Sequence, residues 1–128
     1  MSTIGQQLIE AIRATAANDP DRVMRDGGAY WNLDGTPCCL VGHGLASLGL
    51  LPPLQGNDRE EFIELDEHWN YEGFTALLNK GGLPGLEDLD DIEILWIREA
   101  QIHQDEERTW GRSVELADSL AEAYGGLK

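Results

Sequence analysis

The 128-residue sequence has few basic residues, only two cysteines and no long hydrophobic run. Nine Lys and Arg stand against 24 Asp and Glu, which gives a formal net charge of -15. A surface that neutralises phosphates needs clustered bases, so we expect neither direct nucleic-acid binding nor docking on an anionic membrane. The longest apolar tract, residues 45–54, is interrupted by Ser47, Gly49, Pro52 and Pro53 and is too broken to span a bilayer.

The cysteine content and the amino-terminal sequence predict the cytoplasm as the compartment. Cys38 and Cys39 are adjacent, and neighbours in sequence reach disulfide geometry only with strain. Two free thiols are typical of a reducing compartment. The first ten residues also lack the basic stretch and apolar core of a secretory signal.

The hydrophobic spacing predicts a mainly α fold. Apolar residues recur at three- and four-residue steps near residues 3–17, 37–48, 58–79, 88–104 and 110–124. The segment 29–33 followed by Asp34-Gly35 predicts at most a short β-hairpin near residues 29–37. No repeat or linker divides the chain, so we predict one acidic domain over residues 1–128, a compact bundle of about five helices.

Two helices carry more specific expectations. In the helix near 37–48, Gly42 and Gly44 are poor helix formers, and we expect the backbone of another element to pack closely there. In the helix predicted from about Asp88 to Gln104, the residues expected to share one side are Ile92, Leu95, Trp96, Glu99, Ile102 and His103.

A candidate chemical site lies at the start of the second predicted helix. If Pro37 opens that helix, Cys38 and Cys39 lie in its first turn, where the helix dipole lowers a thiol pKa. His43 follows Cys39 by four residues and shares its face. Cys39 and His43 then suit a nucleophile and its base, and Cys38, Cys39 and His43 suit metal ligands. The alternative is that Cys39 is a small core residue and His43 is packed beside it. Because an isolated Cys/His pair is a weak motif, we predict no cofactor, no metal and no catalytic residue.

The excess charge is concentrated in residues 58–107, which hold sixteen acids and three bases and account for -13 of the total. Such a block repels itself, whereas a merely soluble surface mixes signs. It suits a partner with a basic surface, including a protein whose basic groove normally binds nucleic acid; an aid to solubility is the alternative. The candidate binding residues are Glu60, Glu64, Glu67, Trp69, Tyr71, Asp90 and Asp91.

Four segments carry a family resemblance: Asp19-Pro-Asp-Arg-Val, Pro37-Cys-Cys-Leu-Val-Gly-His-Gly-Leu45, Ala100-Gln-Ile-His-Gln-Asp105 and Thr109-Trp-Gly-Arg-Ser-Val114. In them the chain resembles a group of small uncharacterised proteins from actinobacteria and their phages. The resemblance omits most of the acidic middle. It implies a source and a fold, and it transfers no catalytic residue.

We therefore predict a non-enzymatic acidic module that binds a cellular protein with a basic surface. If the resemblance to phage proteins holds, that partner is a host protein and the compartment is the host cytoplasm. The alternative is a small thiol- or metal-dependent enzyme that uses Cys39 and His43. A third hypothesis is self-association through the face that carries Gly42 and Gly44.

Overall fold

A computed structural model describes residues 3–24, 30, 37–50, 74–79 and 85–127. These ranges contain the helices α1 (Thr3–Asn18), α2 (Leu40–Ser47), α3 (Phe74–Asn79), α4 (Asp91–Asp105) and α5 (Trp110–Ala123). The mainly α prediction is confirmed for this part of the chain, which contains no strand. The hairpin predicted near 29–37 and the helix predicted from 58 fall largely outside these ranges, so both stay predictions, as does the total number of helices.

Helix α4 is the centre of the described fold, because it contacts each of the other four helices and packs most extensively on α5. The core that these contacts enclose is one hydrophobic cluster, in which Leu8, Ile12, Leu45 and Trp96 are fully buried. In α1 the buried residues recur at helical spacing, as the sequence predicts.

The face that α4 buries is offset from the side that apolar spacing predicts, and the two have Trp96 in common. The residues that α4 buries are Glu93, Trp96, Ile97, Ala100, Gln101 and Gln104. Ile102, placed on the predicted side, is 36% exposed. The cause is that three polar side chains occupy the buried face, and a search for apolar spacing does not detect them.

The two glycines of α2 lie where the chain passes close to itself, as predicted. Gly42 lies against the backbone carbonyl of Tyr30, and a Cβ on Gly44 would lie 2.5 Å from Cγ1 of Ile12. Both glycines are buried by the chain's own elements. This face is therefore used inside the chain, and self-association through it stays an untested hypothesis.

Two buried glutamine side chains of α4 hold the starts of α2 and α3. The Oε1 atom of Gln104 accepts a hydrogen bond from the amide of Leu40 at 2.9 Å. One turn earlier, Oε1 of Gln101 accepts from the amide of Phe74, also at 2.9 Å. The first amides of a helix have no partner within it, so these two contacts satisfy donors that burial would otherwise leave unpaired.

The start of α5 is held by the segment that follows α1. The amides of Trp110 and Gly111 donate to the carbonyls of Arg22 and Pro20, both at 2.9 Å. Thr109 is the N-cap of α5, since its hydroxyl accepts from the Arg112 amide at 3.1 Å. The segment after α1 therefore fixes where the last helix begins.

We expect Gln104→Leu to lower the free energy of unfolding by about 2 kcal/mol, because the buried Leu40 amide loses its acceptor. Urea unfolding followed by circular dichroism measures this change. Gln7→Leu, on the exposed side of α1, is the control and should change stability by less than about 0.5 kcal/mol. Equal effects of the two substitutions would contradict the role given to Gln104.

Candidate functional site

Helix α2 begins at Leu40, later in the Cys–His segment than the sequence predicts. The N-cap is Cys39, so Cys38 and Cys39 do not lie in the first helical turn. The amide of Cys38 donates to the carbonyl of Tyr30 at 3.0 Å, which keeps this backbone outside the helix. The Cys39 sulfur acts as the cap and accepts from the Gly42 amide at 3.2 Å.

Cys39 is not an activated thiol. Its side chain is fully buried, and this burial raises its pKa to about 12, outweighing the Gly42 hydrogen bond that favours the thiolate. The predicted lowering of the thiol pKa is therefore wrong. At neutral pH the sulfur is protonated and closed to solvent, whereas a nucleophilic cysteine needs both thiolate character and access.

His43 packs against an aromatic side chain. Its ring meets Trp110 edge-on, with 5.5 Å between ring centroids, and the guanidinium of Arg22 lies 4.7 Å from the Trp110 centroid. Partial burial, and then the charge of Arg22, lower the pKa of His43. Cys38 is half-buried; burial raises its pKa, and Arg22 opposes that shift.

No metal centre is found in the part of the chain that the structure describes. Across those ranges, no three His, Cys, Asp or Glu side chains come together in a way that would hold an ion. Within the described ranges, Cys38, Cys39 and His43 therefore belong to no group of ligands that would form a zinc site. His68 lies outside the described residues.

The acidic segment 58–107 is described over residues 74–79 and 85–107 only. Five of the predicted binding residues lie outside these ranges: Glu60, Glu64, Glu67, Trp69 and Tyr71. We use the name outer acids for the exposed carboxylates of the described part, which are Glu87, Asp88, Asp91, Asp105, Glu106 and Glu107. They lie before or in the first turn of α4 and again at its last residue and beyond.

Other carboxylates of the same segment have a structural role. Asp90 is the N-cap of α4, and its side chain accepts from the Glu93 amide at 2.9 Å. Glu93 is fully buried, and its own carboxylate accepts from the Asp90 amide, which completes a capping box. Glu99 lies 3.2 Å from Nε2 of His103. The predicted binding residue Asp91 is exposed, whereas Asp90 is half-buried and caps the helix.

The carboxyl end of α4 combines three features that oppose stability. Asp105, Glu106 and Glu107 lie at the negative end of the helix dipole, where cations are favoured. They are also three like charges in a row. Glu107 adopts a φ of 65°, in the left-handed region that usually takes glycine at this position after a helix. Arg108 relieves part of this charge, because its hydrogen bond to Glu106 lowers the pKa of that carboxyl.

The described arginines are largely neutralised by the chain's own carboxylates. Arg13 and Asp118 are 2.6 Å apart, and Arg112 and Glu115 are 3.1 Å apart. Arg22 and Arg108 also contact carboxylates. Among the residues that the structure describes, only Arg98 of the five arginines has no carboxylate partner. Two of the outer acids also have partners, since Asp105 accepts from Nε2 of Gln104 at 2.6 Å and Glu106 contacts Arg108. For Glu87, Asp88, Asp91 and Glu107 no arginine partner is found among the described residues.

Each helix in the described ranges is too short or too polar to cross a membrane. Comparisons with models of protein families, with curated proteins and with solved structures find no match to this chain. The site is therefore interpreted from its own geometry and charge.

In the native protein we expect a thiol reagent such as dithionitrobenzoate to label Cys38 alone, because Cys39 is buried and its pKa is about 12. The number of labelled thiols per molecule should rise from one to two when urea is added. The Cys38→Ser variant is the control, and it should stay unlabelled until it unfolds. Rapid labelling of Cys39 in the native form of that variant would contradict the burial of this thiol.

Proposed function

We propose that the chain is a non-enzymatic protein-interaction module whose outer acids bind a cellular protein with a basic surface. The observation that carries the proposal is the acidic run at the carboxyl end of α4, where charge and backbone conformation both oppose stability. Charges and backbone conformations that lower stability are found most often at residues that serve function.

The contrast between the two sets of carboxylates supports this interpretation. Asp90 and Glu93 stabilise the start of α4 through the capping box, so their presence needs no binding role. Glu107 is exposed, makes no ion pair with an arginine among the described residues, and adopts a φ of 65°. An aid to solubility alone would not require the acids at the one helix end that disfavours them.

The distribution of the outer acids suits an extended basic surface. They flank α4, a helix of 15 residues, so the two groups are separated by about 22 Å at a rise of 1.5 Å per residue. Charges spread over that distance steer a basic partner and hold it at several points. The basic groove of a protein that normally binds nucleic acid is one such surface.

The thiol-enzyme alternative has no comparable support. The sulfur that it requires is fully buried, and the pKa of that thiol lies about five units above neutral pH. We therefore keep a single proposed function.

Affinity capture from an actinobacterial lysate tests the proposal. The wild-type chain is compared with the triple variant Asp91→Asn, Glu106→Gln, Glu107→Gln, at low and at high ionic strength. We expect a captured protein with a basic surface that is lost at high salt, because exposed charges are then screened. We expect the triple variant to retain at most about a tenth of it.

A second triple variant is the matched control: Asp19→Asn, Asp21→Asn, Glu115→Gln. It removes the same charge and leaves residues 85–107 intact, and it breaks two exposed ion pairs with arginines where the first variant breaks one. Capture by this control should equal that of the wild type. Equal losses in both triple variants, or a partner that stays bound at high salt, would contradict the proposal.

A further inference from the structure

A groove of about 420 Å³ lies between α1 and α5, and none of its lining residues belongs to the outer acids. The apolar part of its lining comes from Ile9, Ala121 and Leu127. Ile9 and Ala121 are 1% and 2% exposed, so they form a closed, rigid floor. This groove is a separate feature from the surface discussed above.

One wall of the groove is fixed by a hydrogen-bonded network. Oδ1 of Asp118 accepts from Nη2 of Arg13 at 2.6 Å and from Nε1 of Trp96 at 2.7 Å. The guanidinium of Arg13 also lies 5.5 Å from the centroid of the Trp96 ring. These contacts join α1, α4 and α5. The charges of Arg13 and Asp118 neutralise each other across the wall of the groove.

The remaining charges of the groove are negative. Glu10 lies 3.6 Å from Arg13 and its side chain is 67% exposed, while Glu122 is exposed and has no partner among the described residues. With Arg13 counted, the four charged residues of the lining sum to -2. An anion is repelled by this rim, and a purely apolar ligand would cover its carboxylates without replacing their water.

We infer that the groove binds an arginine side chain of the partner protein, an inference that rests on the proposed function and adds an anchor point to it. The aliphatic stem of arginine suits the floor of Ile9, Ala121 and Leu127. Its planar guanidinium forms paired hydrogen bonds with carboxylates, which Glu10 and Glu122 present at the rim. A groove with an apolar floor and an acidic rim matches both halves of that side chain.

An NMR titration with the peptide acetyl-Gly-Gly-Arg-Gly-Gly-amide tests the inference. We expect amide shifts centred on Ile9, Ala121 and Leu127. The matched ligand carries citrulline, which has nearly the same shape and no charge, in place of arginine, and we expect its Kd to be at least tenfold higher. Equal binding of the two peptides would overturn the inference, because the groove would then take any side chain of that shape.

The variant Glu10→Gln/Glu122→Gln should raise the Kd of the arginine peptide about tenfold, since both carboxylates are exposed and their removal leaves the packing intact. Asp21→Asn/Glu115→Gln is the control and should leave the Kd unchanged. Shifts confined to residues 85–107, or unchanged binding by the first variant, would overturn the inference. Partner capture through the outer acids would survive either result, so this failure is distinguishable from failure of the proposed function.

Discussion

The first amides of each helix must find acceptors when the helix starts inside the protein, and this constraint organises the structure. Helices α2 and α3 have eight and six residues, too few to be stable by themselves. Their first amides are held by Gln104 and Gln101, one turn apart on α4. The first amides of α5 are held by two carbonyls that follow α1. The positions of the helices therefore depend on polar contacts between elements as well as on the hydrophobic cluster.

This arrangement explains why one helix carries residues of such different kinds. The inner face of α4 contains Trp96 at its centre and three buried polar side chains, all of which bond to other parts of the chain or to the helix start. Its ends carry the outer acids, which are exposed; among them Asp105 accepts a hydrogen bond from the buried Gln104. A helix that is held so firmly on its inner face tolerates unfavourable charge at its carboxyl end. The proposed interaction surface thus depends on the stability that the inner face supplies.

The sequence predicted what local chemistry determines. The buried stripe of α1 follows from the helical spacing of its apolar residues and is confirmed. Local chemistry also determines the ends of α5, which begins at the Thr109 cap and is followed by Gly125 and Gly126 at positive φ. The close approach at Gly42 and Gly44 was also predictable, because glycine destabilises a helix interior and is expected there where another part of the chain packs closely. These features depend on a few neighbouring residues.

The remaining features depend on residues far apart in the chain. Gln104 and Leu40 are separated by 64 positions and Arg13 and Asp118 by 105, and no periodicity predicts which polar side chain turns inward to meet such a partner. The start of α2 was misplaced for the same reason, since Tyr30 holds Cys38 outside the helix. The low thiol pKa was wrong because burial outweighs the helix terminus, and the alternative that Cys39 is a small core residue is confirmed.

We propose that Glu107, at the carboxyl end of α4, serves binding and not stability, because its charge and its left-handed backbone both oppose stability at that helix end. Urea unfolding of the Glu107→Asn variant tests this proposal, since asparagine tolerates the left-handed backbone and removes one charge from the negative end of the helix dipole. We expect a variant at least as stable as the wild type, by up to about 1 kcal/mol. A loss of more than about 1 kcal/mol would contradict it, because Glu107 would then stabilise the fold.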